Sequence, residues 1–126
     1  MAISTVEQIG RQAFEHFRQG LATGEWVAFL DMLTDDFTLT FPKGKFAGTH
    51  HGKDKATEFF GFVRKAYPEG LFITNLQTVA VGENTVMFEF QDEGKLFDQP
   101  YQGRVVIALD VRGDKISGYR EYFGME

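Results

Sequence analysis

Asp114-Lys115-Ile116-Ser117-Gly118-Tyr119-Arg120-Glu121-Tyr122-Phe123-Gly124 lies near the C-terminal end of the sequence and alternates as a strand would. As a strand it sends successive side chains to opposite faces, so Tyr119, Glu121 and Phe123 share one face and Arg120 and Tyr122 the other. Arg112-Gly113-Asp114 before it is a hairpin turn signal, and Gly82-Glu83-Asn84 is a second one further upstream. Between these signals no helical periodicity survives. Four strands are expected, over Leu71 to Val81, Thr85 to Gln91, Tyr101 to Val111 and Lys115 to Phe123, running antiparallel as a meander. Val86, Phe88 and Phe90 then face the same side as Glu121, while Met87, Glu89 and Gln91 face outward with Arg120 and Tyr122.

Upstream the period changes. Ser4 to Thr23 places Val6, Ile9, Ala13, Phe14, Phe17 and Leu21 on one helical stripe. Ser4 with Glu7, or Thr5 with Gln8, forms a capping-box pattern, and Gly24 suits the left-handed residue that ends a helix. Glu25 to Leu33 reads as a short second helix burying Trp26, Phe29, Leu30 and Leu33. Phe37 to Phe41 alternates as a strand until Pro42 stops it. Gly44, Gly48 and Gly52 punctuate a loop. A third helix over Lys53 to Tyr67 buries Ala56, Phe59, Phe60, Val63 and Ala66, with Pro68 and Gly70 beyond its end. The expected architecture is α+β: a curved antiparallel sheet with three N-terminal helices over its concave face, in one domain spanning 1–126.

With 43% hydrophobic residues, 126 residues suffice for one sizeable core. The net charge of −5, with Lys and Arg spread along the chain, offers no basic face for nucleic acid. Cysteine is absent, which removes thiol catalysis and disulfides and fits a reducing compartment. Met1 to Glu7 lacks the basic start and apolar run of a signal peptide, and no apolar stretch approaches the ~20 residues that span a bilayer. A cytoplasmic protein without membrane contact is expected. Phenylalanine is over-used, 14 residues against 4 Tyr and 1 Trp. Either the rings fill a core, or some of them line a cavity for an apolar ligand.

The element order, Asp35-Asp36-Phe37 after the second helix, Gly52 opening the third, and the 114–124 stretch together resemble the nuclear transport factor 2-like superfamily, also described as cystatin-like. The SnoaL-like and ketosteroid isomerase-like branches are the most similar, and the resemblance covers nearly the whole chain. It implies a cone enclosing a mostly apolar pocket, often in a homodimer. It does not imply one activity, since the fold hosts isomerases, hydrolases, cyclases and binding modules. Laid on the ketosteroid isomerases, the base falls at Phe41, the tyrosine at Phe17 and the second aspartate near Val106, so that chemistry is disfavoured. Laid on the fold's epoxide hydrolases, the two aspartates fall at Asp92 and Glu121, but the arginine falls at Phe90 and the water-binding pair at Leu39 and Phe41. The polyketide cyclases of the SnoaL-like branch also use an acid on the last strand, for which Glu121 is the counterpart. Asp92 has a second reading, because Gln91-Asp92-Glu93-Gly94 is a good strand-exit sequence.

Candidate catalytic residues are therefore Glu121 and Asp92. The candidate ligand pocket is Phe14, Phe17, Trp26, Phe41, Phe59, Phe60, Phe88, Phe90, Tyr119 and His51. No metal or cofactor is expected: His50-His51 has no third ligand at helical spacing, and Gly48 to Asp54 lacks the spacing of a phosphate loop. Ser4 and Ser117 are the only serines, which leaves a Ser-His-Asp arrangement almost nothing to work with. An apolar wall would raise the pKa of Glu121, unless Tyr101 or Ser117 holds the carboxyl or it reaches water. Val106, Ala108, Ile116 and Tyr122 are expected on an uncovered sheet face where two copies pair. Three functions stay open: a domain enclosing a small apolar or amphipathic molecule, an acid-base enzyme using Glu121 with help from Asp92, and a dimerisation module without a ligand.

Overall fold

The computed structural model describes residues 4–123. The expectations placed on Met1 to Ile3 and on Gly124 lie outside the described residues. Helix α1 spans Thr5–Thr23; the Ser4 hydroxyl accepts the Glu7 N–H at 3.1 Å, and Gly24 ends the helix at φ 82°. Helix α2, Val27–Asp31, is shorter than the sequence suggests, because Leu33 leaves the helix to open strand β1, Leu33–Phe41. A 3-10 turn over Gly44–Phe46 leads into β2, Gly48–His51, so the segment expected as loop forms a strand hydrogen-bonded to β1, with His50 opposite Leu39. Helix α3 spans Lys53–Ala66. Strands β3 (Leu71–Val81), β4 (Thr85–Leu96), β5 (Gln99–Arg112) and β6 (Lys115–Phe123) complete one curled, open sheet of order β2-β1-β6-β5-β4-β3.

The sheet is mixed rather than wholly antiparallel. Strand β1 runs parallel to β6, with Leu39 beside Tyr119. A parallel pair needs a long crossover, and α3 with the β3–β5 meander provides it. Strand β4 also continues past Gln91, which overturns the strand-exit reading of Asp92: this residue is paired with Gly103 on one side and Ile73 on the other. The turn falls later, at Phe97 and Asp98, both at positive φ. Gly94 is not a turn residue, since a Cβ there would stand 2.7 Å from the Gly70 carbonyl oxygen; it permits a close backbone approach.

The three helices lie on the concave side. Phe14 of α1 stacks on Phe88 with ring centroids 4.3 Å apart, and Phe17 meets the rings of Trp26, Phe29, Phe60 and Tyr119. On the convex side the Thr85 hydroxyl and the Arg120 guanidinium both donate to Asp110. Two of the residues expected to be uncovered there are not. Ile116 is fully buried because the strand register shifts around Ser117, turning Ile116 inward although it is three residues from inward-facing Tyr119. Ala108 points outward but is buried between its ladder partners Met87 and Arg120. Tyr122 is 49% exposed, and Val106 is half-buried. No helix among the described residues is long and apolar enough to cross a membrane.

Two glycines set the depth at which the helices dock. A Cβ on Gly10 would stand 2.5 Å from Val86, and one on Gly20 would stand 2.4 Å from the Trp26 ring. Gly61, exposed within α3, has nothing near it. Thermal denaturation of two variants checks this packing: Gly20→Ala is expected to destabilise by about 1–3 kcal/mol through overpacking, and Gly61→Ala to stabilise by about 0.5–1 kcal/mol through helix propensity.

Candidate active site in the cone

Strand alternation delivers the site. On β6, Tyr119, Glu121 and Phe123 face into the cone; on β4, Phe90 and Asp92 do so; on β5, Tyr101, Gly103 and Val105 do so. With α3 and the 42–46 strap they surround a cavity of about 520 Å3, a size suited to a small organic molecule. Rings make most of the wall. Phe41 sits between Phe59 and Phe123, at 5.0 and 5.8 Å between centroids, and Phe46 packs on Phe59 and Phe62. At the mouth the Lys43 ammonium lies over the Phe123 ring, and that of Lys45 lies over Phe46 and Phe62.

Of the pocket residues read from sequence, Phe17, Phe41, Phe59, Phe60, Phe90 and Tyr119 line this cavity. Phe14 and Phe88 stack on each other in the core behind it, and Trp26 packs behind Phe17 and Phe60. His51 lies exposed on β2; His50 has its Nε2 2.8 Å from the Phe46 carbonyl oxygen, one shell away from the cavity. Tyr67, Tyr101 and Phe97 also line the cavity and are absent from the expected pocket, Tyr101 being named only as a possible partner of Glu121. The parity of Tyr101 with Gly103 and Val105 was a usable signal for Tyr101; Phe97 offered none, because it fell within the expected connection between the two strands.

Glu121 and Asp92 enter the same cavity. The Tyr119 hydroxyl donates to Glu121 Oε1. Burial among rings pushes the Glu121 carboxyl up to about 7, the Tyr119 hydrogen bond opposes that rise, and the charge of Asp92 adds to it. The same burial, with Glu121 alongside, raises the Tyr119 hydroxyl well above its usual value. Asp92 is 4% exposed, and burial pushes it up to about 6 despite backbone N–H groups of Asp92 and Gly103 that favour its ionised form. Its Oδ1 has no hydrogen-bond partner. Beside it the Tyr101 hydroxyl lies over Gly103, where a Cβ would stand 2.2 Å from that hydroxyl and 2.7 Å from Asp92 Oδ1. The Tyr67 and Tyr101 rings stand edge to face with centroids 5.5 Å apart, and burial pushes Tyr101 up to about 12.

Two carboxyls held near neutrality within a ring-lined cavity form a set able to exchange protons with a bound molecule. Among the described residues no three His, Cys, Asp or Glu side chains stand together in a way that could hold a metal. The positions corresponding to the isomerase machinery remain apolar in space. Phe17 and Phe41 present rings to the cavity, and Val106 lies on the outer face between inward-facing Val105 and Ile107.

The model of the SnoaL-like domain family matches residues 14–119. Among solved structures, an NTF2-like protein of Anabaena variabilis is 50% identical over 100% of this chain and 96% of its own, with a TM-score of 0.95. A Jannaschia protein named after the SnoaL-like polyketide cyclases is 14% identical over 98% of this chain and 90% of its own, TM-score 0.79. A Xanthomonas campestris protein of unknown function with a cystatin-like fold is 15% identical over 92% and 91%, TM-score 0.78. These last two likenesses are of fold alone. No curated protein matches the chain.

The raised carboxyls link stability to pH. Glu121 titrates near 4.5 when unfolded and about 7 when folded, so the folded state holds the proton longer and stability is lost as pH rises through that interval. Glu121→Gln removes this loss. In chemical denaturation the variant is expected to gain on the wild type by roughly 1–3 kcal/mol between about pH 5 and pH 8; an unchanged difference would show Glu121 to be solvated.

Proposed function

This chain belongs to the SnoaL-like domain family, and we propose that it encloses a small amphipathic molecule in its cone and moves a proton on it with Glu121. The observation that carries this reading is the Tyr119–Glu121 pair: a carboxyl held by a buried phenol within a wall of rings, with burial raising it to about 7. A base that titrates near the working pH is present in both forms, so it can take a proton and return it. Ionised Glu121 accepts a proton from a carbon activated by a neighbouring carbonyl. Tyr119 holds the carboxyl in place throughout. Tyr101, whose hydroxyl burial keeps protonated, lines the same cavity and has its proton to offer to the developing oxyanion. The rings exclude water and bind the apolar body. Cyclisations of the kind for which the Jannaschia relative is named, and isomerisations, both begin with such a step.

Solvent deuterium exchange tests the chemistry without knowledge of the natural substrate. With 2-tetralone, an apolar bicyclic ketone, the protein is expected to accelerate exchange at the carbon α to the carbonyl above the buffer rate. Glu121→Gln is expected to remove about 10²–10⁴-fold of that acceleration while leaving tetralone binding in place. Binding without acceleration would leave a ligand-enclosing domain and no enzyme.

We further infer that two copies pair through the convex sheet face, where Tyr122 stands beside its ladder partner Val106 with Met87 diagonal to them, uncovered by any of the three helices. Tyr122→Asp is expected to weaken a dimer by about tenfold or more, read by sedimentation; a wild type that sediments as a monomer at micromolar concentration would exclude the pairing.

A further inference from the structure

Asp92 poses a problem that the proton-transfer reading leaves unsolved. It is 4% exposed, it lines the cavity, and its Oδ1 receives no hydrogen bond. A buried carboxylate without a counter-charge is costly, and natural structures pair such groups or bind an ion to them. The groups around Asp92 do not supply one. Arg18 of α1, near its ladder neighbour Ile73, donates its guanidinium to the Ile73 carbonyl oxygen at 3.1 Å. Tyr101 on β5 and Tyr67 after α3 are phenols raised by burial, and Glu121 on β6 carries the same sign of charge as Asp92. Lys43 and Lys45, the cations among the cavity's lining residues, stand at the mouth over aromatic rings. None of these cations bears on the ionisation of Asp92, which burial dominates.

The space beside this carboxylate is a cradle. Gly103 faces Asp92 across the β4–β5 ladder, and any side chain there would fill the gap between Asp92 Oδ1 and the Tyr101 hydroxyl. The wall of the same cavity includes the rings of Phe17, Phe59, Phe60, Phe90 and Tyr119. Ring faces attract cations, more strongly where water is excluded. Two carboxyls and several aromatic rings, with no described cation acting on Asp92, make this a region of negative potential.

We propose that the occupant of the cone is an organic cation, an ammonium group carried on an apolar body, with the ammonium beside Asp92 and Tyr101 and the body against the rings. This rests on the reading of the cone as a binding cavity and names the class of molecule it takes. Asp92 anchors the charge; Glu121 stays free to exchange the proton. A bound cation favours ionised Asp92 and Glu121, so affinity rises with pH through the range of about 6 to 7 in which they titrate and levels off above it.

Calorimetry with two probes of one shape decides this: benzyltrimethylammonium and its uncharged carbon isostere neopentylbenzene. At about pH 7.5 the cation is expected to bind at least about tenfold more tightly than the isostere, and to weaken severalfold towards pH 5. Asp92→Asn keeps the shape and removes the charge; it is expected to lose about tenfold in affinity for the cation and to leave the isostere unchanged, the latter showing an intact cavity. Equal or tighter binding of neopentylbenzene by the wild type, or a cation preference that survives Asp92→Asn, overturns the proposal while leaving the cavity reading standing. Failure of both probes to bind overturns the cavity reading and the proposal together.

Discussion

Strand β6 is hydrogen-bonded on both sides, antiparallel to β5 and parallel to β1, and everything in the site depends on the register this enforces. A slip of one residue would turn Tyr119, Glu121 and Phe123 outward and bring Arg120 and Tyr122 into the cone. The slip is blocked twice. Ile116 and Tyr119 are both buried only because the ladder shifts at Ser117, and the Asp110–Arg120 pair with Thr85 locks the opposite face. Because β6 is interior to the sheet, its carboxylate is carried by backbone with little freedom to move, which suits a group that must meet a bound molecule at a set distance.

The aromatic wall and the carboxyls are one design. Phenylalanine brings large apolar area and no hydrogen-bonding group, so a cavity lined with it gives an ionised carboxylate nothing in exchange for lost water. Glu121 and Asp92 respond in the same direction for the same reason, and the charge of Asp92 adds to the rise of Glu121. Their local partners differ. Glu121 has a phenol in hydrogen-bond contact, whereas Asp92 has backbone N–H groups on one side and an unpartnered oxygen on the other. That asymmetry separates a group poised for proton exchange from one that waits for a charge.

Much of this was legible in the residues. The stripe from Val6 to Leu21, the Ser4 cap and the Gly24 stop define α1, and the structure keeps all of them. Hairpin signals at Gly82 to Asn84 and Arg112 to Asp114 gave the meander, and strand parity placed Glu121 inward. Other features left no local mark. The Gln91 to Gly94 segment carries good turn residues, yet it is strand, and Gly94 serves a close backbone contact with Gly70, the residue before β3. Leu33 has helical spacing with Phe29 and Leu30 but pairs with Ile116, far away in sequence.

Periods of 3.6 and 2 and turn chemistry, all local in the chain, suffice for the class of fold, the identity of the rings and the face on which Glu121 stands. It takes contacts between distant segments to bury Asp92 in the same cavity as that acid, to fill the core with Phe14, Phe88 and Trp26 while Phe17, Phe41 and Phe90 line a cavity, and to leave Asp92 with no cation among the described residues acting on its ionisation. Those outcomes turn on how closely α1 settles against the sheet at Gly10 and against Trp26 at Gly20, and on how far β4 and β5 extend into the expected connection between them. Both are matters of contact between segments distant in sequence, and no local pattern encodes whether rings brought together will close on each other or on empty space.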